Sequence, residues 1–218
     1  MLFFDLEFYV PPDDRTKNRG SLVVNPSRPK HVLLGGCFFS KRFDAEIPTA
    51  PDIESLWLWK HDDSEADLLR AIKSLFEREW TRQVEEGAKI LGKRINDLVL
   101  CGAGIAKLDL PGLYCRSVLH GIADPAELFE LFFKSRPIEL SNEASFLFPE
   151  EPHLYPKTTK EIAGRLGLKE EKGSSKTVWE LYEAKEYEAI EKRTEAELRT
   201  VLKIYQGLQS AVKTKKPR

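Results

Sequence analysis

Apolar and polar positions along the chain first organise at Leu2 to Val10, which reads Leu-Phe-Phe-Asp-Leu-Glu-Phe-Tyr-Val. This run predicts a central β-strand buried on both faces. Strand side chains alternate, so Leu2, Phe4, Leu6 and Phe8 share one face, and Phe3, Asp5, Glu7 and Tyr9 the other. Two further strands are predicted at Ser21 to Asn25 and His31 to Ser40, joined by a turn around Asn25-Pro26-Ser27-Arg28-Pro29. Short links between three successive strands suggest an antiparallel meander. Gly35-Gly36 inside the third strand marks a bulge or a close backbone approach.

Phe43 to His61 is irregular, then apolar around Leu56 to Trp59. Leu68, Leu69, Ile72, Leu75, Phe76, Trp80 and Val84 recur at helical spacing, with Ser64 and Asp67 at capping distance and Gly87 or Gly92 as the stop. Asn96 to Gly102 reads as a buried strand, followed by a Gly-Ala-Gly turn and a short helix around Leu113 to Val118. Asp124-Pro125 opens another helix, with Leu128, Phe129, Phe132 and Phe133 as its face. Pro137 to Leu140 is a short strand candidate, and Ser141 to Tyr155 a long loop. Thr158 or Thr159 caps a helix closed by Gly167. Lys169 to Lys176 is a charged surface loop, and a long helix runs from about Glu186 to Val212. Three strands, a helix, a strand and then mostly helices is an α/β order that fits a ribonuclease H-like mixed sheet: three antiparallel strands, then parallel ones, flanked by helices. Residues 1–212 are expected as a single domain, with 213–218 a basic C-terminal tail.

Composition narrows the function classes. The 218 residues carry 34 Lys and Arg against 35 Asp and Glu, so the chain as a whole is no polyelectrolyte binder. Nucleic-acid contact would have to come from local patches such as Lys169 to Lys176 or the basic tail. Three dispersed cysteines, Cys37, Cys101 and Cys115, give no structural zinc motif or disulfide framework. No basic leader precedes the first strand, and no apolar run approaches the roughly 20 residues needed to span a bilayer. A soluble, cytoplasmic chain with no membrane association is expected. The four histidines show no metal-ligand spacing. The four tryptophans suit a core better than a base-stacking platform.

The candidate chemistry lies in the first strand. Asp5 and Glu7 point the same way, with Cα atoms about 6.5–7 Å apart. Carboxylates in an apolar strand need compensation, which a divalent metal supplies most directly; a solvated strand face is the plain alternative. Phe4-Asp5-Leu6-Glu7 resembles the first motif of the DEDD superfamily of 3′-5′ exonucleases, especially the exonuclease domain of family B DNA polymerases and its free-standing predicted relatives. Gly102 to Pro111, Gly-Ala-Gly-Ile-Ala-Lys-Leu-Asp-Leu-Pro, resembles the second motif and places Asp109 as the third acid. Arg193 to Leu198 stands at the final motif, and Leu154 to Lys157 looks like the group's connecting segment. The resemblance implies a metal-dependent 3′-5′ exonuclease. Asp5, Glu7, Asp109 and Glu197 would be its catalytic acids and metal ligands, holding two Mg²⁺ or Mn²⁺ ions. Its implied partner is single-stranded nucleic acid; protein partners are not indicated.

Helical periodicity favours Glu197 for the fourth acid. At about 100° per residue it falls inside the arc of Ile190, Leu198, Val201, Ile204, Tyr205 and Leu208, whereas Glu195, the fallback, falls at its margin. The sequence also departs from the family pattern. Glu197 replaces an Asp, and Gly104 an Asn. Arg193 stands where one subgroup has a catalytic Tyr, and Lys192 where another has its His. Tyr187 and Tyr205 lie about 15 Å and 12 Å from Glu197 along the helix, too far to substitute. Arg193 and Lys192 are therefore candidates to bind substrate phosphate rather than act as bases, with a solvated helix residue the plain alternative for Arg193. These departures keep open a second expectation: a catalytically weak or inactive exonuclease-like module that binds nucleic acid or protein.

Overall fold

The computed structural model describes residues 1–15, 23–90, 92, 96–152, 155–168 and 175–214. The apolar run at the start forms β1 (Leu2–Tyr9), the middle strand of a five-stranded mixed sheet of order β3-β2-β1-β4-β5. β2 (Val32–Ser40) and β3 (Glu54–Trp57) extend the sheet antiparallel on one side. β4 (Val99–Gly102) and β5 (Arg136–Glu139) extend it parallel on the other. The meander is therefore β1-β2-β3, with its third strand at Glu54–Trp57 instead of Ser21 to Asn25. Of that expected strand, residues 21 and 22 lie outside the described residues, and Val23 to Asn25 are irregular.

The two faces of β1 meet different layers. Phe4 packs edge-on against Phe76 of α1 (Glu65–Ile90), with ring centroids 5.4 Å apart. Phe8 lies against Gly112 of α2 (Leu110–Leu119), where an added Cβ would come within 2.5 Å of the ring. On the opposite face, Phe3 meets Tyr205 of the long α7 (Tyr187–Thr214) edge-on at 5.0 Å. Helices thus cover both faces of the sheet, as parallel strands require. The β1–β2 register shifts between Glu7 and Phe8, opposite Gly35. At φ 126° a Cβ on Gly35 would lie 2.1 Å from the Leu56 carbonyl oxygen, so the bulge admits only glycine.

Helix signals act where expected. The Ser64 hydroxyl accepts from the Asp67 N–H at the start of α1, and the Asp124 carboxylate accepts from the Ala126 N–H at the start of α3 (Pro125–Phe132). Thr158 and Glu161 form a reciprocal capping box on α5 (Thr159–Arg165). The buried side of α3 is Leu128, Leu131 and Phe132, while Phe129 and Phe133 are exposed and pack on Tyr114 of α2. The stretch read as a long loop after β5 opens with a single helical turn, α4 (Leu140–Glu143). Residues 169–174 lie outside the described residues. α6 (Ser175–Glu183), a helix absent from the sequence reading, follows them. No helix among the described residues is long and apolar enough to cross a membrane.

Candidate functional site

After β3 the chain crosses through α1 and re-enters the sheet on the far side of β1, so strand order reverses between β1 and β4. In open α/β sheets, ligands collect in the crevice beyond the strand C-termini at such a point. β4 ends at Gly102, one residue beyond Cys101, the partner of Phe3. Asp5 and Glu7 therefore continue past the end of β4. A cleft at this edge is lined by Asp5, Ala103, Thr159, Glu197, Thr200 and Val201. It joins the strand carboxylate, the glycine turn, the start of α5 and one side of α7.

Glu7 and Glu197 are 8 % and 7 % exposed. They are brought together by Arg193, whose guanidinium lies 2.7 Å from Glu197 and 3.6 Å from Glu7. The Thr194 hydroxyl lies 3.3 Å from Glu7 Oε1 and 3.0 Å from the Ile190 carbonyl, and with one proton it serves one acceptor at a time. Asp109 is buried at the end of a π-helical turn (Ile105–Asp109) leading into α2. Lys192 projects into solvent near Glu188, 3.6 Å away, on the outer side of α7. Glu195 pairs with Arg199 at 2.6 Å, as its marginal position on the helix arc foretells.

The expected two-ion Mg²⁺ or Mn²⁺ centre on Asp5, Glu7, Asp109 and Glu197 is corrected here. Among the described residues, no three His, Cys, Asp or Glu side chains are grouped to hold a metal ion. The physical reason is visible in α7: the positive charge expected from metal is supplied by the Arg193 side chain, which ion-pairs with Glu197 and lies 3.6 Å from Glu7. Sequence reasoning flagged Arg193 for a phosphate and missed it as the counter-ion. Its i, i+4 spacing from Glu197 was the available signal.

A second polar feature borders the cleft. Gly102-Ala103-Gly104 turns the chain from β4 into the π-helical segment, with Gly104 at φ 87°. A Cβ on Gly102 would fall 2.4 Å from Ile105 Cγ2, whereas one on Gly104 would meet nothing within 4 Å. One glycine lets the turn pack and the other leaves its outer side open. The Gly104 and Ala106 N–H groups both donate to the Glu139 carboxylate, at 2.6 Å and 3.2 Å. The turn is therefore an anion cradle made of backbone amides. Glu139 was absent from the sequence reading; only its place at the end of a strand candidate hinted at it.

No family model matches the chain. Over 106 aligned residues it is 33 % identical to a Schizosaccharomyces pombe protein named NAD-dependent histone deacetylase sir2, covering 41 % of this chain and 22 % of that relative. The chain thus spans about a fifth of the length of the curated relative it matches. This likeness overturns the exonuclease resemblance and with it the metal-dependent 3′-5′ exonuclease, and it lends no support to the weak or inactive exonuclease-like module. What the chain resembles is a protein named for NAD-dependent deacetylation, not one named for cutting nucleic acid.

Proposed function

We propose that the chain is a nucleotide-binding unit of an NAD-dependent deacetylase-type enzyme. The observation that carries this reading is the strand–glycine turn–helix at the switch point, whose two backbone N–H groups converge on one anion beside a carboxylate-lined cleft. The named activity of the partial relative supports the choice of NAD over other nucleotides. The residues suit its parts. Amides of Gly104 and Ala106 suit a pyrophosphate, while Asp5 and Glu197 in the cleft suit hydroxyl donors of a ribose and the cationic nicotinamide ring. NAD⁺ would supply a scissile glycosidic bond to a ring that is cationic while attached and departs as neutral nicotinamide. The protein's share is to hold the two ends apart, with Arg193 bridging Glu7 and Glu197 at the cleft wall.

The strand order is that of the first five strands of a doubly wound dinucleotide-binding sheet, but β2 and β3 run antiparallel. That orientation supports a ribonuclease H-like variant of the sheet, with the parallel half, β1-β4-β5, carrying the ligand edge.

The test is calorimetric titration of the full chain with NAD⁺. Single-stranded DNA and RNA are titrated in parallel, because they share the phosphate chemistry and nucleic acid is the partner expected from sequence. Saturable NAD⁺ binding, lost when Ala103→Trp fills the cleft, is the expected result. Nicotinamide release on adding an acetyl-lysine peptide would then assign the reaction. Absence of NAD⁺ binding sinks the reading, and oligonucleotide binding in its place moves the ligand to nucleic acid.

A further inference from the structure

Beyond β2 the chain lies along the second half of α7, where the Gln206 amide donates to the Ile47 carbonyl at 3.2 Å. Between this segment and the helix is a pocket of about 370 Å³, within the size range of small-molecule sites. Lys41, Asp44, Glu46, Gln206, Ser210 and Lys213 are among its walls, and it shares no residue with the cleft at Asp5 and Glu197. Lys41 is 9 % exposed. Its backbone is fixed at the end of the sheet: the N–H donates to the Met1 carbonyl at 2.8 Å, and the carbonyl accepts from Arg82 at 3.3 Å. Its Nζ donates to the Arg42 carbonyl at 2.9 Å and makes no ion pair among the described residues. Buried basic side chains elsewhere do: Arg116 has Glu65 at 2.5 Å, and Lys157 has Glu151 at 3.5 Å. The acids on the pocket walls do not take that place. Asp44 is held by Arg42 through two bonds of 3.2 Å, and Glu46 is exposed. An ammonium has three donors, and one carbonyl uses one of them. A buried charge without a counter-ion is costly. Burial accordingly pushes the Lys41 ammonium below the ordinary lysine range, against the weaker pull of Asp44, Glu86 and Glu46.

We propose that this pocket is a binding site for a small organic carboxylate of single negative charge, seated on Lys41. The walls decide the class of ligand. Lys41 and Lys213 bring two positive charges, and Asp44 and Glu46 two negative ones, of which Arg42 already neutralises Asp44. One positive charge is left over, which matches a monoanion. A phosphate dianion would bring more charge than the walls balance and set it against Glu46. The site stands apart from the nucleotide reading of the cleft and does not depend on it.

The test is calorimetric titration of the full chain with acetate, lactate and glutamate, each of single negative charge at neutral pH, and with inorganic phosphate as the contrast. Lys41→Met keeps the apolar stem and removes the charge. Ala45→Trp fills the pocket from its exposed rim and leaves Lys41 intact. At least one carboxylate should bind saturably in the millimolar range or tighter, and about tenfold or more weakly in both variants. The thermal midpoint of Lys41→Met should stay level or rise, because the substitution removes a buried charge that has no ionic partner. A marked fall in that midpoint shows the ammonium already compensated within the chain and overturns the proposal. Three other results do the same: no saturable carboxylate binding, binding unchanged in the two variants, or phosphate binding as tightly as the carboxylates.

Discussion

Glu65 and Glu7 are both buried glutamates that meet an arginine, on opposite faces of the sheet, and their surroundings differ in stoichiometry. Glu65 receives Arg116 through two bonds of 2.7 Å and 2.5 Å, the Leu33 N–H at 2.8 Å, and has His120 Nε2 at 3.0 Å. The remaining Arg116 nitrogen donates to the Arg28 carbonyl at 2.8 Å and, at 3.3 Å, to that of Pro26. One acid, one arginine and a full set of bonds tie α1, α2, β2 and the turn before it together. Across the sheet, Glu7 and Glu197 share Arg193, and Glu197 also lines the cleft with Asp5. The first cluster is a closed lock. The second sets two glutamates against one arginine at the wall of a cleft.

The comparison is tested first at its strongest point. Arg116→Met leaves Glu65 buried without its charge partner and should cost about 3–5 kcal/mol in urea unfolding. Replacing both residues, Glu65→Leu with Arg116→Met, should recover much of that loss, because no uncompensated charge remains. Arg193→Met should cost less, about 1–3 kcal/mol, since water entering the cleft partly solvates Glu197. Equal losses for the two arginines would make the second cluster another lock and remove the argument for a site.

Which parts of this comparison were legible in the sequence follows from the range of the forces involved. Alternation along a strand is local, so the carboxylate face of β1 could be read from Leu2 to Val10. Helical periodicity is also local, and it separated Glu197 on the inner arc from Glu195, which pairs with Arg199 at the margin. Arg193 as counter-ion was hidden, because its role depends on α7 lying against β1, nearly two hundred positions away in the chain. The resemblance then filled the gap with metal ions, and Arg193 occupies that place. β3 was missed for another reason: in Glu54–Trp57 only Leu56 and Trp57 are apolar, too few for a period or a buried run to show. The Glu65–Arg116 lock was equally invisible, since each residue alone reads as an ordinary charged helix position.

A smaller effect is expected at Glu197. Glu197→Gln removes one of the two carboxylates at Arg193 while keeping a hydrogen-bond acceptor for it. Stability should change by less than about 1 kcal/mol, in contrast to Arg193→Met, because Glu7 still balances the guanidinium. A loss as large as that of Arg193→Met would mean that Arg193 belongs mainly to Glu197 and that Glu7 is compensated elsewhere.

The finest probe leaves stability untouched. Cys37 lies opposite Asp5 in the β1–β2 register and so shares its face, while Cys101 lies beside Phe3 near Tyr205. Burial, then the neighbouring carboxylates, pushes both thiols far above their ordinary range. Only Cys115 is partly exposed. A thiol reagent such as dithionitrobenzoate should therefore label one cysteine in the native protein and all three in denaturant. In Arg193→Met, the repulsion left between Glu7 and Glu197 should loosen α7 over the acid end of β1. Cys37 should then react faster than Cys101, whereas Arg116→Met, acting from the other face, should not favour Cys37 over Cys101. Equal acceleration of both thiols in Arg193→Met would indicate global unfolding and deny the cleft an opening of its own.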